Sequence, residues 1–319
     1  MIAVLCGGVG AARFLSGLLD VVDAGEVVAI VNTGDDTELH GLSISPDLDT
    51  ITYTLSGRVN RATGWGLAGD DFTTMDALET LGGDTWFRLG NLDLATHLYR
   101  TGRLRAGAPL SQVTADLARA FGLGLRLLPM SDDPVRTVLE LASGAEVSFQ
   151  DYFVRLRHSV AVRAVRFAGA EVAEPGPGVL EALGSASTVV IAPSNPVVSI
   201  DPILAVPGIR TALASRRREV VGISPIIAGA ALKGPADRLL SELGSEASAA
   251  AVARWLSDVC GTLVIDEADA DQRAGVEAAG VECVVTPTVM KDAQTAAALA
   301  RTVLACGGTR DPDRMQAAG

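Results

Sequence analysis

The stretch Ile2-Ala3-Val4-Leu5-Cys6-Gly7-Gly8-Val9-Gly10-Ala11-Ala12-Arg13-Phe14-Leu15 decides the fold class. Its opening apolar run suits a strand buried on both faces. The glycines turn the chain, and Ala11, Phe14, Leu15, Leu18 and Leu19 then follow the spacing of a helix with one buried stripe. A second apolar run over 27–31 completes a β-α-β unit and ends at Asn32-Thr33-Gly34-Asp35-Asp36. A glycine turn opening a helix lets backbone N–H groups and the positive dipole end meet an anion. It is not a dinucleotide fingerprint, because the third small position, counted from Gly8 and Gly10, is Arg13. Nor is there a Walker lysine. A tight connection without a ligand is the plainer alternative for this turn taken alone.

Further along, strand-like runs at 188–192, 219–223, 262–265 and 282–285 alternate with helical patterns at 204–215, 236–243, 249–259 and 292–304. The alternation predicts an α/β fold with a doubly wound, mostly parallel Rossmann-like sheet. Between the two halves, about 45–170 reads as an inserted, mostly helical cap. Its helical patches are 75–81, 94–99 and 110–121, with strand-like runs at 147–154 and 160–167. Pro175-Gly176-Pro177-Gly178 marks the return to the core. Residues 1–306 are expected to form a single domain, and 307–319 a flexible tail.

The 319 residues are 48% hydrophobic with a formal net charge of −12. An acidic chain lacks the phosphate attraction behind non-specific nucleic-acid binding, so nucleic acid is excluded as a partner. Cys6, Cys260, Cys283 and Cys306 are far apart and read as reduced thiols. No run has the length of a membrane span, and the N-terminus lacks a signal pattern. The expectation is a cytoplasmic protein with no membrane partner.

Ligands of open parallel sheets lie beyond the carboxyl ends of the strands. Polar loops fall there: 32–36, Pro193-Ser194-Asn195-Pro196 and Ser224-Pro225-Ile226-Ile227. Gly8, Gly10, Ser194, Asn195 and Ser224 are therefore candidate ligand contacts, with helix capping the alternative for each serine and asparagine. In Ser45-Pro46-Asp47-Leu48-Asp49-Thr50, two carboxylates two residues apart would share a side if the segment is extended. Asp47 and Asp49 could then share a divalent metal, Asp35 and Asp36 being alternative ligands. An ordinary loop and helix cap is the other reading. Arg88, Asp93, Thr96, His97, Ser131 and Asp132 supply further polar groups in the cap. Arginine suits an anion or a flat ring, whereas His97, one helical turn from Asp93, could simply bond to it. Lys233 stands out because the chain has so few lysines.

Taken in order, the glycine turn, the Asn32–Asp36 loop, Ser-Pro-Asp-Leu-Asp, Gly64-Trp65-Gly66, Leu94-Ala95-Thr96-His97, Leu128-Pro129-Met130-Ser131-Asp132-Asp133, Phe149-Gln150-Asp151-Tyr152, Pro-Ser-Asn-Pro and Ser-Pro-Ile-Ile resemble one family. It is the 2-phospho-L-lactate transferase family, called phosphoenolpyruvate transferase in actinobacteria. The resemblance runs to about Leu304. It implies transfer of a phosphoenolpyruvyl or 2-phospholactyl group from a guanosine diphosphate-linked donor to the ribityl hydroxyl of the deazaflavin FO. GMP leaves, the product is a precursor of coenzyme F420, the cofactor is Mg2+, and the protein is a homodimer. Asp49 matches the family's acceptor-binding aspartate, read here as the catalytic residue, and Arg88 its second acceptor-binding position. Asn91 stands where many relatives carry an aspartate. The competing readings are a non-catalytic nucleotide-sugar-binding regulator on the same fold and, disfavoured by Arg13, an NAD-dependent dehydrogenase.

Overall fold

The computed structural model describes residues 1–307. Seven parallel strands form the central sheet: β1 (Ile2–Cys6), β2 (Val27–Val31), β5 (Arg126–Pro129), β9 (Thr188–Ile191), β10 (Val220–Ile223), β13 (Thr262–Ile265) and β14 (Glu282–Val285). Their spatial order is β14-β13-β10-β9-β1-β2-β5. From β1 the chain builds outward to β2 and β5, then returns to β9 and builds the other way. The direction reverses between β1 and β9, where an open α/β sheet leaves its ligand crevice.

Both sheet faces are covered, as the unbroken apolar runs require. Ala3 and Leu5 of β1 enter one core with Val189, Ile191 and Leu263. Ile2, Val4 and Cys6 enter the other with Val27, Val31 and Val190. On this second face α1 (Gly8–Leu19) lies against α12 (Ala293–Gly307). A Cβ on Gly17 would collide with the Ala296 backbone, so these two helices meet backbone to backbone. Cys6, Cys260 and Cys283 are free thiols, all buried. Among the described residues no single helix is long and apolar enough to cross a membrane.

The segment expected as a cap differs from its reading in two ways. Its run 126–129 is β5, paired with β2 in register Val28↔Arg126 as the edge of the main sheet. Its strand content is larger than expected, too. β6 (Arg136–Leu141) lies between β7 (Glu146–Ser148) and β8 (Val162–Ala168) in an antiparallel three-stranded sheet. The strand expected over 147–154 ends early, and a π-helical turn, Asp151–Arg155, held by Asp151 and Ser148, takes over its second half. The helices are α2 (Pro46–Leu55), α3 (Thr73–Thr80), α4 (Asn91–Arg105) and α5 (Leu110–Ala120). A hairpin, β3 (Thr37–Leu39) with β4 (Leu42–Ile44), leads into α2. Here a small separate core of Ile44, Met75 and Leu89 replaces the large ones.

On the far half, the helix expected over 204–215 is two: α7 (Asp201–Ala205) and α8 (Ile209–Ser215). Pro207 and Gly208, the latter at φ +89°, break it. α6 (Val179–Ser185) precedes β9, while α9 (Ala236–Glu242), α10 (Ala249–Leu256) and α11 (Arg273–Ala278) follow β10 and β13. Gly307, the first residue of the expected tail, closes α12; 308–319 lie outside the described residues.

Candidate active site

The glycine turn and the loop after β9 meet at the switch point. Ser194 Oγ donates to the Gly7 carbonyl (2.9 Å) and accepts from the Gly7 N–H (3.2 Å). Gly8 sits at φ +72°, and a Cβ on Gly10 would strike the Pro193 carbonyl oxygen. The small residue at 10 is thus required by the approach of the two loops. Asn195 caps the π-helical turn Pro196–Ile200, accepting from Val197 N and Val198 N. Ser224 Oγ closes its own turn onto Ile226. Asn195 and Ser224 thus fill local capping and turn roles, while Ser194 ties its loop to the glycine turn.

Asp47 and Asp49 do not lie on an extended segment; both stand in the first turn of α2, with Pro46 opening it. Two residues in a helix are about 200° apart in direction, so the carboxylates part company. Asp47 turns to the sheet. It accepts from Asn32 Nδ2 at 3.0 Å and from the Gly8 backbone N–H. Asn32 itself ties three loops together, accepting from Gly34 N (2.8 Å) and donating to Val198 O (3.2 Å). Burial pushes the Asp47 carboxyl up to about 6, against these two hydrogen bonds. Beside it, burial first and then the Asp47 and Asp36 charges raise Asp35 well above the ordinary range. Burial likewise lifts Asp36 to about 7, partly offset by the Ser45 hydroxyl at 2.7 Å. One oxygen each of Asp35 and Asp36 and the hydroxyls of Thr33 and Thr137 are buried without a partner. A set of unsatisfied hard oxygens around mutually repelling carboxylates fits a divalent cation such as Mg2+. A cleft of about 340 Å³ opens at Asp35 and Asp36, flanked by Arg136, Ser148 and Gln150.

Asp49 turns the other way, into α4. The Arg100 guanidinium grips both its oxygens, with Nη1 at 3.1 Å from Oδ2 and Nη2 on Oδ1. Arg100 is 1% exposed and also bonds the Ser43 carbonyl (3.4 Å). Its Nη1 lies 3.2 Å from His97 Nδ1. Since arginine only donates, Nδ1 accepts and the ring proton sits on Nε2. Nε2 is 3.2 Å from Asp93 Oδ2 without an aligned hydrogen bond. Asp93 Oδ1 receives the Tyr53 hydroxyl at 2.6 Å. Burial raises Asp93, but His97 and Tyr53 outweigh it and the net shift is downward. Asp49, Asp93 and His97 present ligand atoms within 4.8 Å of one another. Arg100 already occupies both oxygens of Asp49, so a dication there would compete with the guanidinium for that carboxylate. The pair expected to share a metal is thus parted: Asp47 lies on the sheet side with its alternatives Asp35 and Asp36, and Asp49 on the helix side.

The other expected contacts are spread around this centre. Arg88 pairs with Asp76 and lies over the Phe72 ring at 4.9 Å on an exposed face. Ser131 bonds the Glu174 carbonyl (2.6 Å), and Asp132 holds Ser111 at the start of α5. Thr96 is buried and lines an apolar cleft of about 560 Å³ with Leu67, Leu92, Tyr99 and Phe121. Lys233 donates to the Thr63 carbonyl at 3.0 Å. Sequence reasoning missed Arg100 and Tyr53, and gave Asn32 only as part of the polar 32–36 loop. A helix over 94–99 stops one residue short of Arg100; carried to Arg105 it places Asp93, His97 and Arg100 on one face at i, i+4 and i+7.

An open α/β sheet thus carries buried carboxylates at its switch point, with another carboxylate fixed by arginine on the helix side. A family model described as 2-phospho-L-lactate transferase CofD matches residues 2–303. The chain belongs to this family and is a transferase. It is 48% identical over 308 residues to the phosphoenolpyruvate transferase of Streptomyces griseus subsp. griseus, covering 95% of this chain and 97% of that one. It is 42% identical over 322 residues to that of Mycolicibacterium smegmatis, at 96% and 98% coverage. Among solved structures, a UPF0052 family member from Bacillus halodurans superposes with TM-score 0.62 at 18% identity, covering 95% and 98% of the two chains. That likeness concerns the fold.

Proposed function

We propose that this chain transfers a phosphoenolpyruvyl or 2-phospholactyl group from a guanosine diphosphate-linked donor to the ribityl hydroxyl of FO, giving GMP and a coenzyme F420 precursor. The observation that carries the reading is the division of the carboxylates at the switch point. The glycine turn and the Asp35–Asp47 pair suit the donor's diphosphate, and Asp49 stands on the acceptor side. Phosphoryl transfer asks mainly for alignment and charge neutralisation. Mg2+ held by Asp35 and Asp47, with Asp36 beside them, would supply that neutralisation.

Asp49 is gripped through both oxygens by Arg100 and so held in one orientation. It keeps acceptor lone pairs, so its role is to orient the hydroxyl toward the distal phosphorus. His97 and Asp93 hold Arg100 in place from behind. Helices α2 and α4 close this side and exclude water, which would otherwise compete as the nucleophile. The apolar cleft beside Thr96 suits a flat ring in size and lining. The protein is expected to work as a homodimer in the cytoplasm.

Incubating the protein with FO, Mg2+ and each guanylyl donor, then weighing the deazaflavin product by mass spectrometry, tests the reading and chooses the donor. Unchanged FO with both donors would refute it.

A further inference from the structure

A loop of the acceptor side reaches back to the glycine turn. After α2 the chain folds on itself, with Val59 and Leu67 forming an antiparallel bridge. Asn60 N donates to Gly66 O (2.9 Å) and Gly64 N to Asn60 O (2.8 Å). Thr63 Oγ1 donates to the Trp65 carbonyl at 2.6 Å. Gly64 and Gly66, at φ +80° and +69°, flank Trp65 and complete a closed, internally bonded tip. That tip leaves Trp65 51% exposed. The other two tryptophans are engaged: Trp255 donates to Asp201 (2.8 Å), and Trp86 packs edge-on with Phe87. Among the described residues the Trp65 indole has no ring or hydrogen-bond partner.

The loop touches three things at once. Its base, through Arg58, Leu67 and Ala68, lines the apolar cleft. Its tip lies on the glycine turn, since a Cβ on Gly64 would come 3.4 Å from Val9 Cγ1. The same Cβ would come 2.8 Å from the Lys233 ammonium, which also bonds Thr63. Lys233 comes from the far half of the chain, just after the short hairpin of β11 (Ile226–Ile227) and β12 (Ala230–Ala231). A rigidly presented indole, half in water, costs hydration that only a flat apolar partner recovers.

We propose that Trp65 is the stacking face for the deazaflavin ring of the acceptor, and that Lys233 couples this loop to the donor's phosphates at the glycine turn. The proposal rests on the transferase reading above. An ammonium has three donors and the Thr63 carbonyl takes one. The others are free to meet an anion beside Val9, so phosphate and loop are joined by a single side chain. Donor occupancy then steadies the loop and tightens acceptor binding.

Calorimetric titration of the full chain with FO and with GDP, in magnesium, tests this. Trp65→Leu weakens FO binding about tenfold or more and leaves GDP binding unchanged, while Trp65→Phe keeps most of the FO affinity. Saturating GDP tightens FO binding to the unaltered protein about fivefold or more, and Lys233→Met removes that tightening. GDP binding lost in Trp65→Leu with FO binding intact would place the indole on the guanine and overturn the assignment. Unchanged binding of both ligands in Trp65→Leu overturns the stacking role, and tightening that survives Lys233→Met overturns the coupling. An unaltered protein that binds neither ligand overturns the transferase reading itself.

Discussion

Asp47 and Asp49 are the same residue, two positions apart on one helical turn, in opposite electrostatic worlds. On the sheet side, Asp47 has only neutral partners, Asn32 and the Gly8 N–H, and like charges for neighbours. On the helix side, Asp49 has a buried guanidinium on both oxygens. The first region stores repulsion that a cation or a proton relieves. The second has a guanidinium built against its carboxylate and holds its geometry without either. The difference teaches that a carboxylate's role follows from what faces it, not from its spacing along the chain.

The largest effect expected comes from breaking the helix-side pair. Arg100→Met or Asp49→Asn leaves one buried charge alone, costing about 3–5 kcal/mol of stability by chemical denaturation. Transfer should fall about 100-fold or more. An Asp49→Asn protein with ordinary stability and turnover would erase the contrast.

Asp47→Asn should act with the opposite sign. Removing a buried carboxylate that resists ionisation stabilises the metal-free fold at pH 8 by about 3 kcal/mol, while abolishing its stabilisation by magnesium. A melting temperature that drops instead would place Asp47 among the compensated groups.

A smaller effect is the pH dependence of the sheet side. A carboxyl raised in the folded state keeps a proton that the unfolded chain has lost. Stability of the metal-free protein therefore falls as pH rises from the ordinary carboxylate range through about 6 for Asp47 and about 7 for Asp36, with Asp35, also raised, adding to the same slope. Asp36→Asn should flatten the upper part of that slope in thermal melts at stepped pH.

Smallest of all is Arg88→Ala. Its ion pair with Asp76 is exposed, so stability should change by about 0–1 kcal/mol. An unchanged KM for FO would take Arg88 out of the acceptor site, whereas a raised KM with normal stability would keep it there.

The central sheet was legible because its strands are apolar without interruption and its helices carry one stripe each. That pattern needs no partner to be read. The three-stranded sheet β7-β6-β8 was harder. In β6 the alternation of Thr137, Leu139 and Leu141 is clear only once Arg136 and Glu140 are known to face out. β5 hid inside the expected cap because four residues are too few to show that they pair with a strand a hundred positions away.

By itself the sequence determined which residues would gather at the carboxyl ends of the strands, because the loops after buried parallel strands must emerge there. Family motifs in order then named the chemistry. The tertiary structure alone decided how the acidic residues divide, since α2 begins at Pro46 and sends neighbouring side chains to opposite sides. Only the fold could bring Arg100, half a hundred residues downstream, onto Asp49. Charge compensation depends on distance in space, and a chain read in one dimension carries no record of it.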